Sequence, residues 1–289
     1  MVLAQFCFMV EGIHLSMKQA PLQINSKKRV YEFWNETTCG TQYSDKDKFT
    51  KPYFEDIENY RYSVEPQIFS FAQFTRFYGK KVLEVGIGAG TDFLQWIRAG
   101  AKAYGIDLTP EAIRHIEKRL EVYHLKAEEI KVADSESIPY EDNTFDLVYS
   151  WGVIHHTPDT RKALREIVRV IRPGGMGKIM VYHKHSLSAF YLWLRKAFFA
   201  FRPWKTFSWC LYHYQENIGT KAFTIKEIRT MLKDFPVANV QIRSHITYCD
   251  TLEYHNRMLA RRMGEILSYI FSNARVGWFL TIQFEKEKA

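Results

Sequence analysis

The residues with the clearest chemical potential form one run, Val82-Leu83-Glu84-Val85-Gly86-Ile87-Gly88-Ala89-Gly90-Thr91-Asp92. Residues 81–85 are short, apolar and β-branched, which predicts a buried strand, and residues 93–98 resume at helical period. The alternating glycines between them can take positive φ and let a ligand come close to the backbone. The helix that follows presents free N–H groups and the positive end of its dipole. Glu84 stands before the first glycine, Asp107 closes the apolar run 103–106, and Asp134 closes the run 130–133. Further on, His155-His156 could take a proton near neutral pH. His183 and His185 share a strand face; without a carboxylate beside them they suit polar pocket lining better than a metal site, and no metal is expected.

A dinucleotide fingerprint, G-x-G-x-x-G with an acidic residue about twenty positions later, is one reading of the turn. Here the third glycine comes one residue early and a carboxylate precedes the first, which disfavours a nucleotide-dependent oxidoreductase. The ordered set Glu84-x-Gly86-x-Gly88-x-Gly90, Asp107 and Asp134 resembles the class I S-adenosylmethionine-dependent methyltransferases (the small-molecule, "type 11"-like group), over residues 80–182. The resemblance implies S-adenosylmethionine as cofactor. It implies close backbone approach at Gly86, Gly88 and Gly90, ribose hydroxyls on Asp107, and the adenine amino group on Asp134 with Ser135. Glu84 and the backbone near Ser150 are left for the amino-acid ammonium or for loop support.

The resemblance extends less firmly to the flanks. A Trp34-Asn35…Cys39-Gly40-Thr41 segment is similar to one that helps roof the active site in small-molecule members; otherwise Phe33 and Trp34 pack a first helix on the core. Arg61, with Tyr62 beside it, could pair the cofactor carboxylate as a bidentate fork, or stand as a solvated surface arginine. His155 and His156 fall where this fold brings side chains toward the transferable methyl, as base or as loop support. Trp34, Tyr62 and His183 are candidate substrate contacts. No Asp/Asn-Pro-Pro-Tyr/Phe follows the fourth strand, which argues against amino methylation of nucleobases or glutamine.

The elements that must position these groups alternate. Strands are predicted at 81–85, 102–106, 129–133, 146–150 and 178–182. Helices are predicted near 91–99, at 110–123 with Thr109 as N-cap and Pro110 at N1, and at 160–171, stopped by Pro173-Gly174-Gly175. Later segments add a helix from about 223, a strand at 237–246, a helix at 253–271 and a last strand at 277–284. The fold class is α/β, a doubly wound, mostly parallel seven-stranded sheet, with the ligand beyond the carboxyl ends of its strands. Residues 1–30 are expected as a mobile arm, 31–79 as a helical lid segment, and 80–289 as the core with a helical insertion near 186–222. Residues 186–205 carry apolar residues at helical spacing beside Arg195, Lys196, Arg202 and Lys205. They can pack on their own domain, cap the substrate, or lie on a membrane or lipid-like substrate.

Composition bounds the rest. The 289 residues are 46% hydrophobic and 16% aromatic, enough for a real core and an aromatic-lined cavity. Net charge is +8 from 40 basic and 32 acidic residues, but the basic residues are dispersed, so no nucleic-acid partner is expected. Four separated cysteines without a C-x-x-C pair fit reduced thiols in a cytoplasmic protein. No run approaches the twenty apolar residues of a transmembrane helix. The expectation is methyl transfer to a small, aromatic or lipophilic metabolite by a monomer or homodimer, with a non-catalytic cofactor-binding accessory protein as the alternative.

Overall fold

The computed structural model describes residues 26–36, 38, 40–216, 219–253, 258–270 and 275–288. Seven strands form one sheet: β1 Lys81–Val85, β2 Lys102–Asp107, β3 Glu129–Val132, β4 Phe145–Trp151, β5 Ile171–Tyr182, β6 Val237–His245 and β7 Phe279–Lys286. Their order is β3-β2-β1-β4-β5-β7-β6. β1 to β5 run parallel, while β7 is antiparallel to both β5 and β6. Chain order reverses between β1 and β4, so the loops leaving those strands diverge and open a crevice at their carboxyl ends.

Strand alternation sends side chains to two layers. One layer packs Val82, Leu147, Tyr149 and Trp151 of the sheet on Phe93 and Trp96 of α4 (Thr91–Arg98) and on Ile116 and Leu120 of α5 (Pro110–Tyr123). The other packs Leu83, Val85, Val148 and Ile179 on Ala163, Leu164 and Ile167 of α6 (Thr160–Val170) and on Ile228 and Leu232 of α9 (Ile225–Leu232). The caps come from local chemistry. The Thr109 hydroxyl accepts from Ala112 N ahead of Pro110, and Thr224 with Glu227 forms a capping box on α9.

Helices α1 (Ser26–Glu36), α2 (Lys51–Val64) and α3 (Gln67–Ala72) precede the sheet. α1 starts inside the expected arm; residues 1–25 lie outside the described residues. Pro173-Gly174-Gly175 does not end α6, which closes at Val170. Those residues instead bulge from an early start of β5, where the register jumps from Phe145–Ile171 to Leu147–Met176. The single helix foreseen over 186–205 is divided into α7 (Leu187–Trp193), a π turn at Leu194–Phe198 and a capped turn before α8 (Phe207–Tyr214). Phe201 sits at φ 56 within that turn, and Pro203 follows, so the chain cannot continue as a helix there. The expected helix at 253–271 is α10 (Met258–Ile270); residues 254–257 and 271 lie outside the described set. No helix among the described residues is long and apolar enough to cross a membrane. Cys249 is disulfide-bonded, contrary to the expectation of four reduced thiols, and its partner lies outside the described residues. The fold makes that pairing, so sequence spacing could not reveal it.

Candidate active site

A cavity of about 190 Å³ opens at the switch point, lined from the ends of β1, β2, β3 and β4 and roofed by α1 and α2. Gly86, Gly88 and Gly90 all adopt positive φ, at 81°, 50° and 73°. No side chain fits at two of them: a Cβ on Gly86 would stand 2.2 Å from Val153 Cγ2, and one on Gly90 2.3 Å from Ile116 Cδ1. The turn therefore presents bare backbone to the cavity. Asp107 fixes it from the next strand, accepting from Gly88 N at 3.0 Å on one oxygen and from Thr109 N and Oγ1 at 3.0 and 2.9 Å on the other. A carboxylate offers about four acceptor sites, so the Gly88-bonded oxygen keeps one site for a ligand hydroxyl. Burial pushes the Asp107 pKa up, opposed by those N–H and O–H donors.

Glu84 faces the same cavity while nearly buried, its one direct donor being Trp96 Nε1 at 2.9 Å. Burial, then the neighbouring Asp92, raise its pKa well above the ordinary carboxylate range. Arg61 does not offer a free fork. Its Nε and Nη2 hold Asp92 at 2.9 and 2.7 Å, and its Nη1 lies 3.7 Å from Glu65. Asp92 also accepts from the hydroxyls of Tyr62 (3.2 Å) and Tyr149 (3.0 Å). A buried carboxylate at 2% exposure requires this many donors, so Arg61 serves it rather than a ligand carboxylate. Tyr62 is drawn into the same cluster and does not line the cavity.

At the β3 end, Asp134 and Ser135 line the cavity as expected. Asp134 accepts from Glu136 N at 2.9 Å and is paired with Lys27 of α1, which also reaches Glu136 at 3.0 Å. Ser150 is fully buried in β4 and does not line the cavity. Its neighbours Tyr149 and Trp151 point to the cavity layer, so by strand parity Ser150 points to the other. Trp151, Gly152 and Val153 hold the place expected for it.

The histidine pair separates cleanly. His155 is fully buried with neither ring nitrogen bonded; burial, then His156, push its pKa far down, leaving it neutral. It packs on Tyr182 at 4.0 Å between centroids, which is a structural position. His156 lines the cavity, with Nε2 3.2 Å from Glu216 and Nδ1 3.3 Å from Thr220 Oγ1. Glu216 Oε2 stands beside Nε2 without closing a hydrogen bond to it. The Tyr182 hydroxyl donates to the other Glu216 oxygen. Trp34 lines the cavity and meets the His156 ring edge-on at 5.3 Å. His183 packs away from the cavity, its Nδ1 3.0 Å from Gly277 O.

Sequence reasoning missed Glu65, Asp92, Thr109, Tyr43, Tyr60, Tyr248 and Glu216. Tyr43 and Tyr60 stack at 3.6 Å as part of the aromatic lining, and Glu65 accepts from Trp151 Nε1 at 2.8 Å. Asp92 and Thr109 stood inside motifs already noticed; nothing in the sequence marked Glu216. Among the described residues no cluster of His, Cys, Asp and Glu could hold a metal.

Comparison with known proteins agrees with this architecture. Residues 83–177 match the family model described as a methyltransferase domain. Tocopherol O-methyltransferase of Arabidopsis thaliana is 30% identical over 179 residues, covering 56% of this chain and 51% of that protein, so the chain spans about half its length. Demethylmenaquinone methyltransferase of Bacillus mycoides is 28% identical over 182 residues, 57% of this chain and 73% of that one. In fold, the chain is similar to geranyl diphosphate C-methyltransferase of Streptomyces coelicolor, with TM-score 0.60 and 13% identity over 92% of this chain and 100% of that one. The stretch 83–177, which carries the glycine turn and the carboxylates at its strand ends, is thus a methyltransferase domain of the class I S-adenosylmethionine-dependent kind.

Proposed function

We propose that this chain binds S-adenosylmethionine in the crevice and transfers its methyl group to a small acceptor of aromatic or lipophilic character. One observation carries the reading: the bare glycine turn and the carboxylates of Glu84 and Asp107 converge on a single cavity. Charge supports it. Among the described residues the lining holds Glu65, Glu84, Asp92, Asp107 and Asp134 against Lys27 and Arg61, and both cations pair with carboxylates of that set. A ligand bearing a sulfonium and an ammonium offsets that excess, whereas the pyrophosphate of a nicotinamide dinucleotide would add to it. Glu84 would take the ammonium, the Gly86–Gly90 backbone would carry the nucleoside, Asp107 would accept from the ribose, and Asp134 with Ser135 would meet the adenine. Arg61 holds Asp92 in place behind them.

The cofactor, when bound, supplies an electrophilic methyl group; the chain supplies alignment and removal of water. Trp34, Tyr43, Tyr60, Trp151 and Tyr248 make an apolar wall for the acceptor. His156 takes the acceptor's proton, and the Glu216 carboxylate, 3.2 Å from Nε2, offsets the charge that forms on the ring. Relatives named for tocopherol and demethylmenaquinone support a lipophilic ring acceptor here. Incubating the protein with methyl-labelled cofactor and separated polar and lipophilic metabolite pools tests this. Label should enter the lipophilic pool; label entering no pool, with cofactor binding intact, would favour a non-catalytic binding protein.

A further inference from the structure

The longest stretch that the proposed chemistry leaves unused is the insertion after β5. Residues 184–215 hold five basic residues, Lys184, Arg195, Lys196, Arg202 and Lys205, and no carboxylate. The turn between the π turn and α8 exposes Phe198 by 50%, Phe199 by 69%, Phe201 by 88% and Trp204 by 72%. Phe198 and Phe199 meet at 5.3 Å, and four aromatic side chains this exposed within seven residues concentrate apolar surface that soluble proteins seldom leave uncovered.

The turn is built to present them. Backbone bonds Phe199 N to Leu194 O (2.9 Å), Phe201 N to Phe198 O (3.1 Å) and Arg202 N to Ala197 O (2.8 Å) close it, and Trp193 Nε1 ties it to Lys205 O at 2.7 Å. Phe201, the most exposed ring, occupies the left-handed region at φ 56, which a bulky residue adopts only at a cost. None of these rings lines the cavity at the switch point.

We propose that this tip docks on an anionic lipid bilayer, the rings entering the interface and the basic residues meeting the headgroups. Charge complementarity chooses the occupant: Lys184 is paired with Glu227, but Arg195, Lys196, Arg202 and Lys205 lie among the rings, and a stretch with these cations and no carboxylate of its own fits an anionic surface. The patch also communicates with the site. α8 is about 12 Å long at eight residues and runs directly from it to Glu216, the partner of His156. A bilayer would therefore lie one short helix from the acceptor wall. That link to a membrane-held acceptor rests on the proposed methyl transfer; the docking itself does not.

The test is co-sedimentation of the full chain with vesicles of phosphatidylcholine alone or mixed with phosphatidylglycerol. The wild type should partition onto the anionic vesicles and be released as salt rises. Phe199→Ser, Phe201→Ser and Trp204→Ser combined should weaken partitioning by roughly tenfold or more, with circular dichroism and thermal unfolding unchanged because all three side chains are exposed. Phe201→Ala alone gives a milder variant with the same expected direction. Arg202→Gln with Lys205→Gln should cost about fivefold per charge and remove the preference for anionic lipid. Equal partitioning on neutral and anionic vesicles, unchanged binding by the triple variant, or a patch-dependent dimer or single-stranded RNA complex in place of vesicle binding would overturn the proposal. None of these readouts depends on methyl transfer.

Discussion

The two walls of the cavity are built on different terms. The wall at the tips of β1 to β3 is assembled mostly locally: Asp107 is fixed by Gly88 and Thr109 and Asp134 by Glu136 N, within a loop or one neighbouring strand, and Lys27 of α1 adds a distant ion pair to Asp134. The opposite wall sets Trp34 from α1 and His156 from the loop after β4 on the cavity, with Glu216 from beyond α8 and Tyr182 from the end of β5 behind them. Short-range construction makes the first wall a backbone feature, tolerant of changes elsewhere. The second depends on how distant segments pack, which is where acceptor preference can vary without disturbing the nucleoside side.

The largest expected effect sharpens that contrast. His156→Ala should lower kcat by about 10²–10⁴-fold, the usual range for loss of a positioned base, while cofactor affinity measured by calorimetry stays within twofold or so. An equal loss of affinity would mean that the two walls are not independent. Arg61→Met should cost about 3–5 kcal/mol of stability, because it leaves the Asp92 carboxylate buried without its ion pair. Denaturant unfolding reads this, and a change below about 1 kcal/mol would show that Tyr62 and Tyr149 suffice. Asp107→Ala should weaken cofactor binding by about 1.5–3 kcal/mol for each charge-assisted hydrogen bond lost, with kcat at saturating cofactor changed much less.

The smallest effect concerns His155. Its folded pKa lies far below its unfolded value of 6.5, so the unfolded chain binds the proton first as pH falls. Stability contributed by the neutral ring is thus present above about pH 6.5 and lost below it, by up to about 1.4 kcal/mol per pH unit. His155→Phe should flatten the acid limb of the stability profile by one proton; an unchanged slope from pH 6.5 to 5 would place the titration elsewhere, buried His115 and His183 and half-buried His245 being shifted the same way.

What the sequence made legible follows the same division. The glycine turn, the Thr109-Pro110 cap and the acidic strand ends are local signals, and the strands and helices of the core stand where their periodicity put them. The backbone expected near Ser150 reaches the cavity at the adjacent Trp151 and Gly152, an offset that a loosely bounded strand cannot resolve. Arg61 and Asp92 are ordinary charges until α2 packs on α4. His155 and His156 are adjacent and chemically identical, and only the fold decides which one faces the cavity. Glu216 carries no motif; it reaches the site because α8 ends there. The insertion at 186–205 had the right composition for a helix, but its exposed rings follow from a turn that periodicity could not foresee.

The central claim, a sulfonium nucleoside held by the glycine turn and Asp107, is tested most directly by calorimetry of the full chain against S-adenosylmethionine, S-adenosylhomocysteine and a nicotinamide dinucleotide in parallel. Saturable binding of both sulfur nucleosides, weakened in Asp107→Ala, with no heat from the dinucleotide is the expected result. Binding of the dinucleotide instead, or of none of the three, would contradict it.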